Sequence, residues 1–455
     1  MAIQHKMIEQ LPDVSIQGSF SSSITGVSID TRSLNAGDLF VAFTGTQVDG
    51  HDFIPKAISR GASAVMASTH WGGKDEWNYH IPLITSPDPE KSIADLAKAH
   101  RDQFELPLIG ITGTNGKTST KNLLAHILGK KHSVLSTRGN YNNQLGLPIT
   151  LLGLNKSHDI AVIEMGASKP GDIAYLAQIA SPTEGLITNI STAHTEFFNN
   201  VETIQLTKAE LYRSVSERGG RIYVNADDPR VVAAGTSSGQ IITYGFNSES
   251  DFNYSLSGPD EMGRYTLHLN RYQVHLPHPG KALALNAAAA VTVAHQHELD
   301  TAAIFSALSD YPGENGRMQL VQVGQVIFLH DAYNANPAST QAGLETVKAI
   351  KSEARKILVF GDMLELGTVS RHAHHQVAEQ IISADFDQVF LLGIETIETA
   401  QHLDNNNFVN FYHNVEKSAT LQKFLTAVQA GDLIYLKGSR SMMLEDFITA
   451  YKESI

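Results

Sequence analysis

The chain has no cysteine, so disulfides, thiolate zinc sites and cysteine nucleophiles are excluded, and a reducing compartment is compatible with it. It has no long hydrophobic run either. The least polar stretch, from Ala282 to Ala294, carries Asn286 and is too short to cross a bilayer, and the N-terminal MAIQHKMIEQLPDV lacks the apolar centre of a signal peptide. A cytoplasmic protein without membrane insertion is expected. Basic residues are outnumbered, 34 Lys and Arg against 47 Asp and Glu for a formal charge of -13, which disfavours nucleic acid and anionic membranes as partners. Any phosphate must be held locally. Charged residues at 18%, with 35 Gly and 15 Pro, fit neither a disordered nor a collagen-like chain, and there is no repeat of solenoid period.

What is present is bulk: 455 residues, 42% of them apolar, enough at about 150 residues per domain for about three domains. Residues 24 to 85 hold short apolar runs such as DLFVAF and SAVMAS between turns, which predicts a small N-terminal α/β unit, and IADLAKAHRDQF reads as a connecting helix. From Leu106 strand and helix alternate: PLIGIT before TSTKNLLAHILGK, then DIAVIEM and EGLITNI, each before a polar loop. That pattern predicts a mostly parallel sheet covered by helices. After the turn YPGENGR, the runs QVIFLH, KILVFG, QVFLLG and DLIYLK predict a second αβ unit. The expected units are 1–104, 105–311 and 312–455.

The strongest chemical signal is IGITGTNGKTST, a strand running into a Gly-rich turn and then a helix. Gly113 and Gly116 would let backbone N–H groups approach a phosphate, Lys117 would reach the outer phosphates, Thr118 would ligate Mg²⁺, and the helix start favours an anion. The strict phosphate-loop pattern is not met, because Ile111 stands where its first glycine belongs. Glu164, Asn189 and His194 follow later strands of the same unit, and ligands of open parallel sheets bind beyond the carboxyl ends of strands. Glu164 would then face Mg²⁺ from the side opposite Thr118, and His194 would supply a second metal's nitrogen ligand. Taken alone, a strand-end glutamate is ordinarily solvated and a single histidine ordinarily structural. In DAYNANPAS, Asp331 ends a strand and Asn336-Pro337 reads as a helix cap and first turn. The cluster RHAHHQ, with His372, His374 and His375, lacks the spacing that stacks two imidazoles on one helix face.

TGTNGKT, the Glu of IEMGAS, STAHTEFF followed by LTKAELY, the Arg of GRM and DAYNANP occur in the order found in the Mur ligases, and the chain resembles that family along nearly its whole length. The resemblance implies a three-domain α/β protein with a central phosphate-loop domain and a C-terminal Rossmann-like domain. It also implies an ATP- and Mg²⁺-dependent amide ligase of peptidoglycan precursor synthesis, expected as a monomer. DTRSLNAGDLFVAFTGTQVDGHDF, NYNNQLGLP, GDMLELG and KGSRSMMLE are similar to the member that joins D-alanyl-D-alanine to UDP-N-acetylmuramoyl-tripeptide.

By that resemblance Gly113, Thr114, Asn115, Gly116, Lys117, Thr118, Ser119, Asn286 and Asp331 would hold ATP, and Arg317 would approach the γ-phosphate. Glu164 and His194 would ligate metal. Lys208 matches a lysine that relatives carbamylate, which turns a cation into an anionic oxygen ligand and needs an amine that is transiently neutral. Read without the family, Lys208 is a solvated helical lysine. Asp30, Thr31, Arg32, Asp49, Gly50 and His51 would bind the UDP-sugar, with Asn142, Asn143, Asn334, Asn336, Lys437, Ser439 and Ser441 serving the peptide substrates. Where relatives carry His-Asn this chain has Ala282 and Leu283, which weakens the carry-over of Asn286 to adenine. A folate-type or other amino-acid ligase of the same superfamily, or a simple nucleotide-regulated ATPase, are the rival readings.

Overall fold

The structure is a computed structural model that describes residues 3–45, 48–191, 198, 200–235, 239–247 and 249–455. Its described residues form three separate β-sheets in chain order. The first has Ser15–Gln17 at one edge, then Leu83–Ser86, Ala64–Ser68, Leu39–Val41 and Val27–Ser28, with only the Ser15–Gln17 pairing antiparallel. The helix Pro89–Arg101 leads out of it, started by Asp88, whose side chain accepts from Lys91 N, with Pro89 in the first turn.

The middle sheet has nine strands. Parallel pairings run without a break from Val134–Ser136 through Ile160–Glu164, Leu108–Thr112, Glu184–Ile187, Arg221–Asn225 and Gln240–Gly245 to Phe252–Ser257. Beyond them the hairpin Thr266–Leu269 and Tyr272–His275 is antiparallel, an extension that the sequence analysis does not anticipate. Leu108–Thr112 is buried throughout because both faces are covered. Ile109 and Ile111 pack with Leu124 and Ile127 of helix Lys117–Leu128 and with the alanines of Lys281–Ala294, whereas Leu108 joins the core on the other face. Each such side chain contributes about 1.5–3 kcal/mol relative to exposure, which holds the loop after this strand in one place.

The third sheet orders Gln319–Val323, Val326–Asp331, Leu433–Lys437, Lys356–Gly361, Gln388–Leu392 and Phe411–Asn414, parallel except for its first pairing. The first and last of these edge strands are further additions to the four that the sequence predicts. No described helix is long and apolar enough to cross a membrane.

Candidate active site

The carboxyl end of Leu108–Thr112 delivers the chain into a tight loop, and helix Lys117–Leu128 starts directly after it. Gly113 (φ 148°) and Gly116 (φ 80°) have left-handed backbone, and a Cβ would strike the Thr188 hydroxyl at the first and the Asn286 carboxamide at the second. The loop is clamped from the neighbouring strand. Thr114 N donates to Asn189 O (2.9 Å), Asn115 N to Asn189 Oδ1 (3.1 Å), Thr114 Oγ1 to Ser191 O (3.0 Å) and Thr188 Oγ1 to Asn115 O (2.6 Å). A rigid loop at a helix N-terminus presents unpaired backbone donors and the positive end of the helix dipole, the arrangement that binds phosphate.

Two lysines meet at this loop. Lys117 Nζ donates to Gly113 O (2.9 Å) and Thr114 O (3.1 Å), and Lys208 Nζ, from helix Val201–Glu217, donates to the same Gly113 carbonyl (2.9 Å). Lys208 is buried, contrary to its solvated reading, and has no carboxylate partner among the described residues. Burial first, and then the neighbouring Lys117 charge, hold its amine well below the usual lysine range. Burial also lowers Lys117, opposed by the attraction of Glu164 and reinforced by Arg317.

Glu164 closes the other side. Its Oε1 accepts from Asn142 Nδ2 (2.6 Å), while Oε2 is buried without a hydrogen-bond partner among the described residues. An orphaned carboxylate oxygen beside a phosphate loop is chemically suited to a hard cation, which prefers oxygen ligands. Thr118 supplies a hydroxyl on the same cleft, so the residues present fit Mg²⁺. His194 lies outside the described residues.

The opposite wall comes from the third sheet. Arg317 Nη2 donates to Thr118 Oγ1 (3.1 Å), its Nε pairs with Glu314 (3.1 Å), and its guanidinium lies 4.4 Å from the Tyr333 ring centroid. Asn336 caps helix Pro337–Ala349 through Ser339 and reaches across to Asn115 Oδ1 (2.9 Å). Arg317 and Asn336 thus both touch the loop at the helix start. Asp331 and Lys437 are register partners at the ends of parallel strands, so their side chains pair at 2.8 Å; Tyr435 OH also donates to Asp331 (3.1 Å) and Lys437 to Asn334 O (3.2 Å). Lys437 is buried, so Asp331→Asn strands its ammonium and should cost about 3 kcal/mol in chemical denaturation. An unchanged unfolding midpoint would contradict that.

These walls enclose one cleft of about 1210 Å³, which reaches Thr114 to Ser119, Asn142, Asn143, Glu164, Asn286, Arg317, Asp331, Asn334, Asn336, Lys437, Ser439 and Ser441. Ser439 is buried and its hydroxyl accepts from Leu364 N (2.9 Å), so it shapes the rim.

Residues 23–101 match the Mur ligase family catalytic domain, 111–294 the Mur ligase middle domain and 316–440 the Mur ligase glutamate ligase domain. Over 444 residues the chain is 32% identical to the UDP-N-acetylmuramoyl-tripeptide–D-alanyl-D-alanine ligase of Bacillus subtilis, covering 95% of this chain and 94% of that one. The chain belongs to the Mur ligase family. Two solved Mur ligases share its fold along the chain. The UDP-N-acetylmuramoylalanyl-D-glutamyl-2,6-diaminopimelate–D-alanyl-D-alanyl ligase of Acinetobacter baumannii matches with TM-score 0.85 at 26% identity, over 100% of this chain and 99% of that one. A MurF ligase of Thermotoga maritima in complex with ADP matches with TM-score 0.78 at 27% identity, over 94% and 97%.

In this Mur ligase, Asp30, Thr31, Arg32, Asp49, Gly50 and His51 do not line the central cleft. They follow the parallel neighbours Val27–Ser28 and Leu39–Val41, so both segments lie beyond the carboxyl ends of the parallel strands of the first sheet. Asp30 forks the exposed Arg32 (2.7 to 3.0 Å), which holds the Asp30 carboxyl below its usual range. His51 is buried, bonded to Asp49 (2.5 Å) and accepting from Ser68 N (3.1 Å). His374 receives Met363 N (3.1 Å) and contacts Ser370 O (2.9 Å), a role within its own domain.

Sequence reading missed Lys121 and Thr137. Buried Lys121 donates to Thr137 O (2.7 Å), and Thr137 Oγ1 accepts from Glu164 N (2.9 Å), so a lysine one helical turn beyond Lys117 braces the glutamate strand. Its place in KTSTK, on the same helix face as Lys117, was the available signal.

Proposed function

We propose that the chain is the ATP-dependent ligase that joins D-alanyl-D-alanine to UDP-N-acetylmuramoyl-tripeptide, forming the pentapeptide, ADP and phosphate in the cytoplasm. The observation that carries this reading is the single cleft in which a clamped phosphate loop and Glu164 face Arg317 and the Asp331–Lys437 pair. The likeness to the Bacillus subtilis ligase over nearly its full length names the substrates. Residues 1–104, 105–311 and 312–455 act as the UDP-substrate, ATP and acceptor units.

In the reaction a carboxylate oxygen of the tripeptide attacks the γ-phosphorus, and the bond to ADP breaks. The amine of D-alanyl-D-alanine then attacks the acyl phosphate carbon, loses a proton, and phosphate leaves. Lys117 and Arg317 neutralise charge on the phosphoryl group in flight, where positioning and electrostatics supply most of the catalysis. Gly113 to Ser119 cradle the nucleotide phosphates, with Asn286 and Asp331 on the nucleoside side. Asn142, Asn143, Asn334 and Asn336 orient the peptides, and Lys437, Ser439 and Ser441 meet the acceptor carboxylate. Asp30 to Arg32 and Asp49 to His51 hold the UDP-sugar.

Glu164, the Thr118 hydroxyl, His194 and a carbamylated Lys208 would hold Mg²⁺, which supplies positive charge to the phosphates when bound. The depressed Lys208 amine supports carbamylation, because only a neutral amine attacks carbon dioxide. Glu164→Gln should weaken divalent-ion binding roughly ten-fold or more, read with Mn²⁺ by electron paramagnetic resonance in the presence of a non-hydrolysable ATP analogue. Equal Mn²⁺ affinity would remove Glu164 from the metal site. The direct test of function is ADP release with each substrate alone and with both: ligation requires both, whereas a simple ATPase requires neither.

A further inference from the structure

A second cavity of about 630 Å³ opens off the main cleft between helix Pro89–Arg101 and the loop after Glu164. Glu90, Gln144, Lys169 and Asp172 line both, so the two spaces adjoin along these residues. The path between them has well-defined walls. Asn142 Nδ2 donates to Glu164 (2.6 Å), Gly166 N donates to Asn142 O (2.8 Å), and Gln144 Nε2 donates to Asp172 Oδ1 (3.1 Å), so segments 142–144 and 164–172 run side by side away from the metal-facing glutamate. Buried Asp172 then fixes the turn by accepting from Ser168 N (2.9 Å), Ser168 Oγ (3.2 Å) and Lys169 N (3.0 Å). The backbone of Lys169 is anchored, while its exposed ammonium has no partner among the described residues.

Facing it, Glu90 stands in the first turn of helix Pro89–Arg101. The other charges of that helix near the cavity neutralise one another, Lys91 with Asp95 (2.6 Å) and Lys98 with Asp102 (2.9 Å), and Asp88 caps Lys91 N (3.0 Å). Among the described residues Glu90 and Lys169, both exposed, have no such partners and do not pair with each other across the channel. One unpaired acid and one unpaired base at the end of a path that starts at Glu164 complement a zwitterion.

We propose that Lys169 and Glu90 read the far end of the tripeptide's last residue, and select a diamino acid that ends in both an ammonium and a carboxylate, as diaminopimelate does, over one that ends in an ammonium alone, as lysine does. The inference rests on the reading of the chain as a tripeptide ligase. With the carboxylate to be phosphorylated by Lys117 and Glu164, the proposal puts the side chain of that residue along the channel toward the loop of Lys169, and the amide arm toward the UDP-sugar unit. Glu90 takes the ammonium that both side chains offer. Lys169 takes the carboxylate that only diaminopimelate offers, so it sets the choice.

The test compares kcat/KM for the diaminopimelate-ending and lysine-ending UDP-tripeptides, together with calorimetric Kd values measured without ATP. Wild-type protein should favour the diaminopimelate form roughly ten-fold or more, and Lys169→Met should bring the ratio toward one. Lys169→Glu should turn the ratio toward lysine. Glu90→Gln should weaken both substrates and leave their ratio. A wild-type ratio near one, or a ratio that survives both Lys169 substitutions, overturns the proposal. If neither tripeptide supports ADP release with D-alanyl-D-alanine, the ligase reading itself fails, a distinct result.

Discussion

Lys117→Ala should lower ligation by roughly a thousand-fold or more, the scale on which a preorganised cation aimed at a transferred phosphoryl group acts. The fold should survive. Among the described residues the Lys117 amine bonds only to two carbonyls of its own loop, while the loop's position is set by the Thr188 to Ser191 clamp and by buried Ile109 and Ile111. ADP formation and thermal unfolding measured on the same preparation separate the two effects. Turnover near wild type would remove the phosphate-loop assignment, and a collapsed unfolding midpoint would move the role of Lys117 from chemistry to structure.

The second large effect is expected at Lys208. Lys208→Ala should lose activity on a comparable scale, roughly a hundred-fold or more, and regain part of it when small carboxylates fill the vacated space, because the role assigned to the carbamate is that of an anionic oxygen ligand. Mass measurement in bicarbonate should find the added carbon dioxide on wild-type protein and not on the variant. The unmodified lysine also has a stability signature. Its folded amine titrates below the ordinary value of 10.5, so between those two pH values the unfolded chain binds more protons and stability rises with pH. Lys208→Met should therefore be more stable than carbamate-free wild type near neutrality, with the gap closing as pH approaches 10.5. A gap that does not vary with pH would mean that Lys208 is not buried as a depressed amine. An active Lys208→Ala enzyme would remove it from the metal site.

The part of the candidate site nearest the Gly-rich loop is legible because its residues are local in sequence. IGITGTNGKTST carries strand, turn, lysine and helix start in one stretch, and Asn336-Pro337 announces a cap that the structure contains. Strand and helix alternation puts Glu164 and Asp331 at strand ends, and parallel registers bring them to the cleft. Lys208 shows where local reading stops: helical spacing makes it a solvated lysine, and only the packing of Val201–Glu217 against the loop buries it. The same holds for Lys121, whose partner Thr137 lies in another strand loop, and for Glu90 and Lys169, which share a channel only because two domains pack together. The hairpin 266–275 escaped because its short half-buried strands lack the continuous apolar runs of the parallel ones.

The central claim is that ATP activates the tripeptide carboxylate as an acyl phosphate within one cleft. UDP-tripeptide labelled with ¹⁸O in its terminal carboxylate, incubated with ATP, D-alanyl-D-alanine and the enzyme, tests it most directly. The account predicts that each turnover transfers one labelled oxygen to the released phosphate and leaves the other in the new amide. Phosphate free of label, at a rate of ADP release that does not depend on the dipeptide, would contradict it.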